Sequence, residues 1–109
     1  MANDRYLQML GIAKRAGLIS QGHDVCIDSV KKGKACMCLF SSDASERLVK
    51  EFESLLQSMN RNIPVKRLNY SMVEIGYALS YKTAVITIND EGIANKLNEI
   101  EKTQNGEEN

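Results

Sequence analysis

The stretch Gly17-Leu18-Ile19-Ser20-Gln21-Gly22-His23-Asp24 decides how this chain is read. Before it, Tyr6, Leu7, Leu10, Ala13 and Ala16 recur at helical spacing, and Gly17 stands where a helix-closing glycine belongs. After it, Val25, Cys26, Ile27 and Val30 repeat the pattern until Gly33 stops it. The quoted residues therefore lead out of one helix, through a short extended piece at 18–20, into a second helix opened by Gly22. Such an opening presents free backbone N–H groups and the positive end of a helix dipole, which together can hold a phosphate. The run Lys31-Lys32-Gly33-Lys34 closes the same helix. An anion-binding surface suited to RNA is the first expectation.

Further along, the chain alternates between helical and extended patterns. Ala35-Cys36-Met37-Cys38-Leu39-Phe40 reads as a strand buried on both faces. Asp43 and Glu46 have capping-box spacing for a third helix, whose stripe is Leu48, Phe52, Leu55, Leu56 and Met59. Pro64 leads a short strand and suits a sheet edge. Ser71 and Glu74 form a second capping box, Ala84–Ile88 is a β-branched central strand, and Asn89-Asp90 caps a last helix. The spacing predicts helices over 4–16, 22–32, 44–59, 71–79 and 90–100 and strands over 18–20, 35–41, 64–68 and 84–89. This alternation implies an α/β fold, a three-layer α/β/α sandwich around a small mixed four-stranded sheet. A single domain over 1–101 is expected, followed by a polar, disordered tail over 102–109.

Composition narrows the function. No apolar run approaches the roughly 20 residues that span a membrane, and no signal-peptide core is present, so a soluble, cytoplasmic chain is expected. The net charge of zero argues against an indiscriminate polyanion binder. However, residues 98–109 carry −3, so the remainder carries +3. Lys14, Arg15, Lys31, Lys32 and Lys34 place a modest basic surface on the N-terminal third. Lysines at a helix end equally well complement the dipole. The three cysteines, Cys26, Cys36 and Cys38, are an odd count without a C-x-x-C pair. Reduced, metal-free thiols are expected, with Cys36 and Cys38 buried, and no cofactor is implied.

Signals of catalysis are thin. The glycine-rich nucleotide motifs and the zinc-protease motif are absent. Asp43 and Asp90 follow strands and open helices, as active-site carboxylates of open sheets do, but N-capping explains both. His23 is the single histidine, and Cys26 is one helical turn away, with no residue to orient the pair. Tyr81-Lys82 fall in the loop before the central strand. An aromatic beside a lysine can stack a base and neutralise a phosphate, or simply anchor the loop.

Taken in order, four segments resemble the bacterial YlxQ-type proteins, small members of the kink-turn-binding ribosomal protein superfamily. They are Met9-Leu10-Gly11-Ile12-Ala13-Lys14-Arg15-Ala16-Gly17, Lys32-Gly33-Lys34-Ala35, Phe40-Ser41-Ser42-Asp43-Ala44-Ser45, and Ile86 through Leu97. The resemblance spans roughly residues 5–97 and implies the same three-layer sandwich. It also implies that the N-terminus of the second helix binds a kinked RNA while a loop after the fourth helix covers an extruded base. Carried onto this chain, those surfaces are Gly22, His23, Asp24, Val25 and Asp28, and Ser80, Tyr81, Lys82 and Thr83. The chain departs from the usual pattern, which has Asn and Glu at Asp24 and Val25, Lys at Asp28 and Gly at Ser80. The expectation is a non-enzymatic RNA-binding protein, with ribosome association among its implied roles. It would be a monomer without a small-molecule substrate. The RNA-binding residues would be Gly22, His23, Asp24, Lys14, Arg15, Lys31, Lys32, Lys34, Tyr81 and Lys82. The alternative is a protein-interaction adaptor that keeps the fold with weakened or lost kink-turn affinity.

Overall fold

The computed structural model describes residues 4–104. Its elements are α1 (Arg5–Arg15), β1 (Ile19–Gln21), α2 (His23–Lys31), β2 (Met37–Phe40), α3 (Glu46–Ser58), β3 (Val65–Arg67), α4 (Met72–Leu79), β4 (Val85–Ile88) and α5 (Glu91–Gln104). They form one four-stranded sheet of order β1-β4-β2-β3. β4 pairs antiparallel with both β1 and β2, and β3 pairs parallel with β2. The sheet is therefore mixed, β4 is internal, and the Pro64-led strand lies at an edge, where a missing N–H costs nothing.

Side-chain alternation builds the three layers. Met37, Leu39, Ile86 and Ile88 point to one face, where Tyr6 and Leu10 of α1, Ile75 and Leu79 of α4, and Leu97 and Ile100 of α5 cover them. Cys38, Phe40 and Val85 point to the other, where Cys26 and Val30 of α2 and Phe52 and Leu56 of α3 cover them. Phe40 and Phe52 meet edge to face with centroids 5.6 Å apart. β2 and β4 are buried along their whole lengths because helices pack on both faces. This is the α/β/α sandwich that the alternation of patterns implied.

The helix termini explain where each element stops. Gly17, at φ +74°, closes α1, with Leu18 N–H donating to Ala13 O at 2.9 Å. That bond satisfies an otherwise orphaned helix carbonyl. The Ser71–Glu74 capping box is present in both directions, and Asp90 Oδ2 accepts from Ile93 N–H at 3.0 Å.

Several expectations need correction. The cap of α3 is Ser45, whose hydroxyl accepts from Leu48 N–H at 3.1 Å; Asp43 forms no capping box with Glu46. Asp43 instead accepts from Met72 N–H at 3.1 Å and ties the start of α4 to the loop after β2. β2 begins at Met37, which leaves Cys36 ahead of the strand and only partly buried, whereas Cys26 and Cys38 are buried. Leu55 is half-buried at the border of the stripe, and Leu56 takes the core position. α5 continues to Gln104, so residues 102–104 belong to the helix rather than to a tail. The remainder of the expected tail, 105–109, lies outside the described residues.

Candidate nucleic-acid interface

Gly22 joins β1 to α2 at φ +97° and ψ 158°, a backbone conformation that side-chain-bearing residues rarely adopt. Its N–H donates to Val85 O at 3.2 Å and to the Thr83 hydroxyl oxygen at 3.1 Å. The buried Thr83 hydroxyl in turn donates to Val85 O at 2.7 Å. One glycine amide therefore pins the α4–β4 loop to the β1–α2 junction. Two further contacts seal this union. Gln21 Nε2 donates to Tyr81 O at 3.3 Å, and the Tyr81 hydroxyl lies 3.2 Å from where a Gly22 Cβ would stand. The two segments singled out from the sequence thus become one continuous surface, with the Tyr81 ring about half exposed over Gly22.

The amide at Gly22 is occupied internally, so it is not among the free N–H groups expected at the opening of this helix. The open donors are the next three N–H groups, of His23, Asp24 and Val25. Cys26 N–H already donates to Gly22 O, and no side chain caps this helix among the described residues. α2 is held in place from below by Ser29, whose hydroxyl donates to Asn89 Oδ1 at 2.7 Å, while Asn89 Nδ2 donates to the Ser20 hydroxyl oxygen at 3.0 Å.

His23 does not approach Cys26 productively. Its Nδ1 lies 2.8 Å from Asp24 Oδ1 and its Nε2 lies 2.8 Å from Glu51 Oε2. Two carboxylate acceptors require both ring nitrogens to donate, which only imidazolium can do. The hydrogen bond to Asp24 first, then that to Glu51, pushes the His23 pKa above its ordinary value. The ring edge also meets Phe52 of α3 with centroids 6.1 Å apart. The Asp24 side chain is otherwise bare, at 99% exposure. Glu51 escaped the sequence reading because no local spacing links it to His23.

The basic residues divide into separate groups. Lys82 is exposed in the Tyr81 loop, its backbone packed against Gly76. Lys14 donates its ammonium to Leu79 O and so caps the end of α4; it does not reach into solvent over α2. Arg15 lies in the groove between α1 and α4. Lys31, Lys32 and Lys34 stand at the far end of α2, about 12 Å along its axis from His23. Lys32 pairs with Asp28 at 3.1 Å, so the two charges largely cancel. The structure thus gathers Gly22, His23, Asp24, Tyr81 and Lys82 into one place, and leaves Lys14, Arg15 and the Lys31–Lys34 cluster outside it.

The model of the ribosomal protein L7Ae/L30e/S12e/Gadd45 family matches residues 4–98. The chain belongs to this family. It is a non-enzymatic family, in line with the thin catalytic signals of the sequence. Two similar relatives are RNA-binding proteins YlxQ. That of Bacillus subtilis (strain 168) is 26% identical over 98 residues, covering 89% of this chain and 95% of the relative. That of Enterococcus faecium is 29% identical over 94 residues, covering 86% and 88%. Among solved structures, a protein with unknown function from Bacillus halodurans C superposes with a TM-score of 0.79 at 27% identity, covering 90% of this chain and 97% of that one. The Giardia lamblia 15.5kD RNA binding protein shares the fold at a TM-score of 0.68 and 20% identity, covering 86% and 79%. Among the described residues no helix is long and apolar enough to cross a membrane.

Proposed function

We propose that this chain is a non-enzymatic RNA-binding protein that recognises kinked or bulged RNA by shape, through the N-terminus of α2 and the α4–β4 loop. The observation that carries this reading is the union at Gly22. One residue both opens a helix whose next three amides are unfilled and bonds to the loop bearing Tyr81 and Lys82. In that geometry a backbone phosphate sits against the amides of His23, Asp24 and Val25, where the helix dipole favours it. A base turned out of its helix stacks on the Tyr81 ring, and the Lys82 ammonium neutralises a neighbouring phosphate. Family membership and the names of the YlxQ relatives support RNA as the partner, with ribosomal RNA as the first substrate class to test. One copy of the chain holds the whole platform, so a monomer suffices for binding.

The bare Asp24 carboxylate and the 55%-exposed Val25 favour the second reading, a protein-interaction adaptor on the same fold. A negative charge and an apolar side chain at a helix N-terminus suit a protein partner better than a phosphate. Titration against a kink-turn RNA and an unkinked duplex of equal length separates the readings. The RNA reading expects tighter binding of the kinked molecule and its loss in Gly22→Asp and Tyr81→Ala. Equal binding of the two RNAs, unchanged in both variants, favours the adaptor.

A further inference from the structure

The face formed by α1 and α4 carries apolar surface that the RNA platform does not use. The two helices run side by side in the same direction. Asp4 accepts from the Tyr70 hydroxyl near their starts, and Lys14 donates to Leu79 O near their ends. Between them lies a groove of about 710 Å³. Its lining includes Gly11 and Ala78, and the Arg15 guanidinium lies over Gly11, 3.7 Å from where a Cβ would stand. Beside the groove stands Tyr77, 86% exposed, flanked by Ile12 at 48% and Val73 at 49%. A protruding aromatic beside an open groove offers a second molecule an apolar contact.

The charges at the two ends are opposite. Glu74, in the first turn of α4, is exposed and gives one carboxylate oxygen to its own helix cap, without a cationic partner among the described residues. Arg15, at the end of α1, is exposed and has no acceptor among them. Such a bipolar groove complements itself when a copy is turned by a two-fold axis. It fits an RNA backbone poorly, because a phosphate chain laid along it meets Asp4 and Glu74.

We propose that the α1–α4 groove is a self-association surface whose occupant is the same groove of a second copy of this chain. Tyr77 of each copy packs into the groove of the other, and Arg15 of each swings off Gly11 to meet Glu74 of the other, so the contact closes as a symmetric dimer. This goes beyond the RNA reading and revises the monomer expected from the sequence.

The test is the solution mass of the full chain by sedimentation equilibrium, which involves no RNA and so stands apart from the RNA reading. The mass is expected to rise from one copy to two between about 10 μM and about 1 mM, the range of small interfaces. Arg15→Glu and Glu74→Arg should each weaken association at least about tenfold, since each turns both ion pairs into repulsions. An equimolar mixture of the two variants should recover it, because every contact across the mixed dimer is again between opposite charges. Tyr77→Asp, at a site too exposed to threaten the fold, should abolish it. A one-copy mass throughout the range, a mixture that stays monomeric, or an unaffected Tyr77→Asp overturns the proposal.

Discussion

Replacing Gly22 by alanine separates backbone strain from steric contact at the centre of the platform. Two costs are visible. Alanine must hold φ +97°, where its Cβ is disfavoured, and such conformations cost about 1–3 kcal/mol. The new Cβ also stands 3.2 Å from the Tyr81 hydroxyl. That neighbour is the far end of a half-exposed side chain, so a shift of a few tenths of an ångström relieves the contact at little cost. The backbone therefore dominates. Gly22→Ala should lose about 1–3 kcal/mol in urea unfolding, a drop of roughly 4–8 °C in melting temperature per kcal/mol at this size. In a Tyr81→Phe background, which removes the hydroxyl, the loss from Gly22→Ala should stay the same within about 0.5 kcal/mol. The reasoning is refuted if Gly22→Ala is neutral, or if Tyr81→Phe rescues most of its loss.

Other expectations follow from burial and charge. Leu56→Ala should cost about 2–5 kcal/mol as a core truncation, and Leu55→Ala clearly less; equal losses in paired urea melts would misplace the α3 stripe. Cys26 and Cys38 are buried, which pushes their thiols up to about 11 and about 12; the Cys36 thiol is also raised, by burial and then by Glu91, but it alone is partly exposed, so only Cys36 should react with a thiol reagent in the folded protein, as mass counting of labels will show. The folded pKa of His23 is raised above 6.5 by its two carboxylate partners. Any stability from that pairing is complete below 6.5 and is lost as pH rises through the folded value. RNA affinity should fall over the same window, as Asp24 and Glu51 lose their shared cation; a profile unchanged in His23→Gln would show that the pairing plays no part.

The layers of the fold are legible because periodicity reports burial. β2 and β4 read as unbroken apolar runs since helices cover both their faces, and α1, α2 and α4 end where the pattern predicts, within a residue or two. Capping was less legible at α3. Asp43 has the right spacing to Glu46, yet a nearer hydroxyl at Ser45 wins, and Asp43 is drawn to Met72, which sequence distance conceals. The site divides in the same way. Gly22 and Tyr81 lie far apart in sequence, and each carries its own local signal, helix-opening chemistry for one and an aromatic beside a lysine for the other. Their contact depends on Thr83 and the β1–β4 pairing, which no local pattern encodes. Charge is the least legible: the sequence places Lys14 and Lys32 on a basic surface, but one is held by a helix carbonyl and the other by Asp28.

The most direct test of the central claim is to titrate isotope-labelled protein with a kink-turn RNA and follow each backbone amide by NMR. The account predicts that the amides of His23, Asp24 and Val25 shift together with those of Tyr81 and Lys82, and that those of Lys31 and Lys34 do not. Shifts confined to the Lys31–Lys34 end of α2, or the absence of any at saturating RNA, would contradict it.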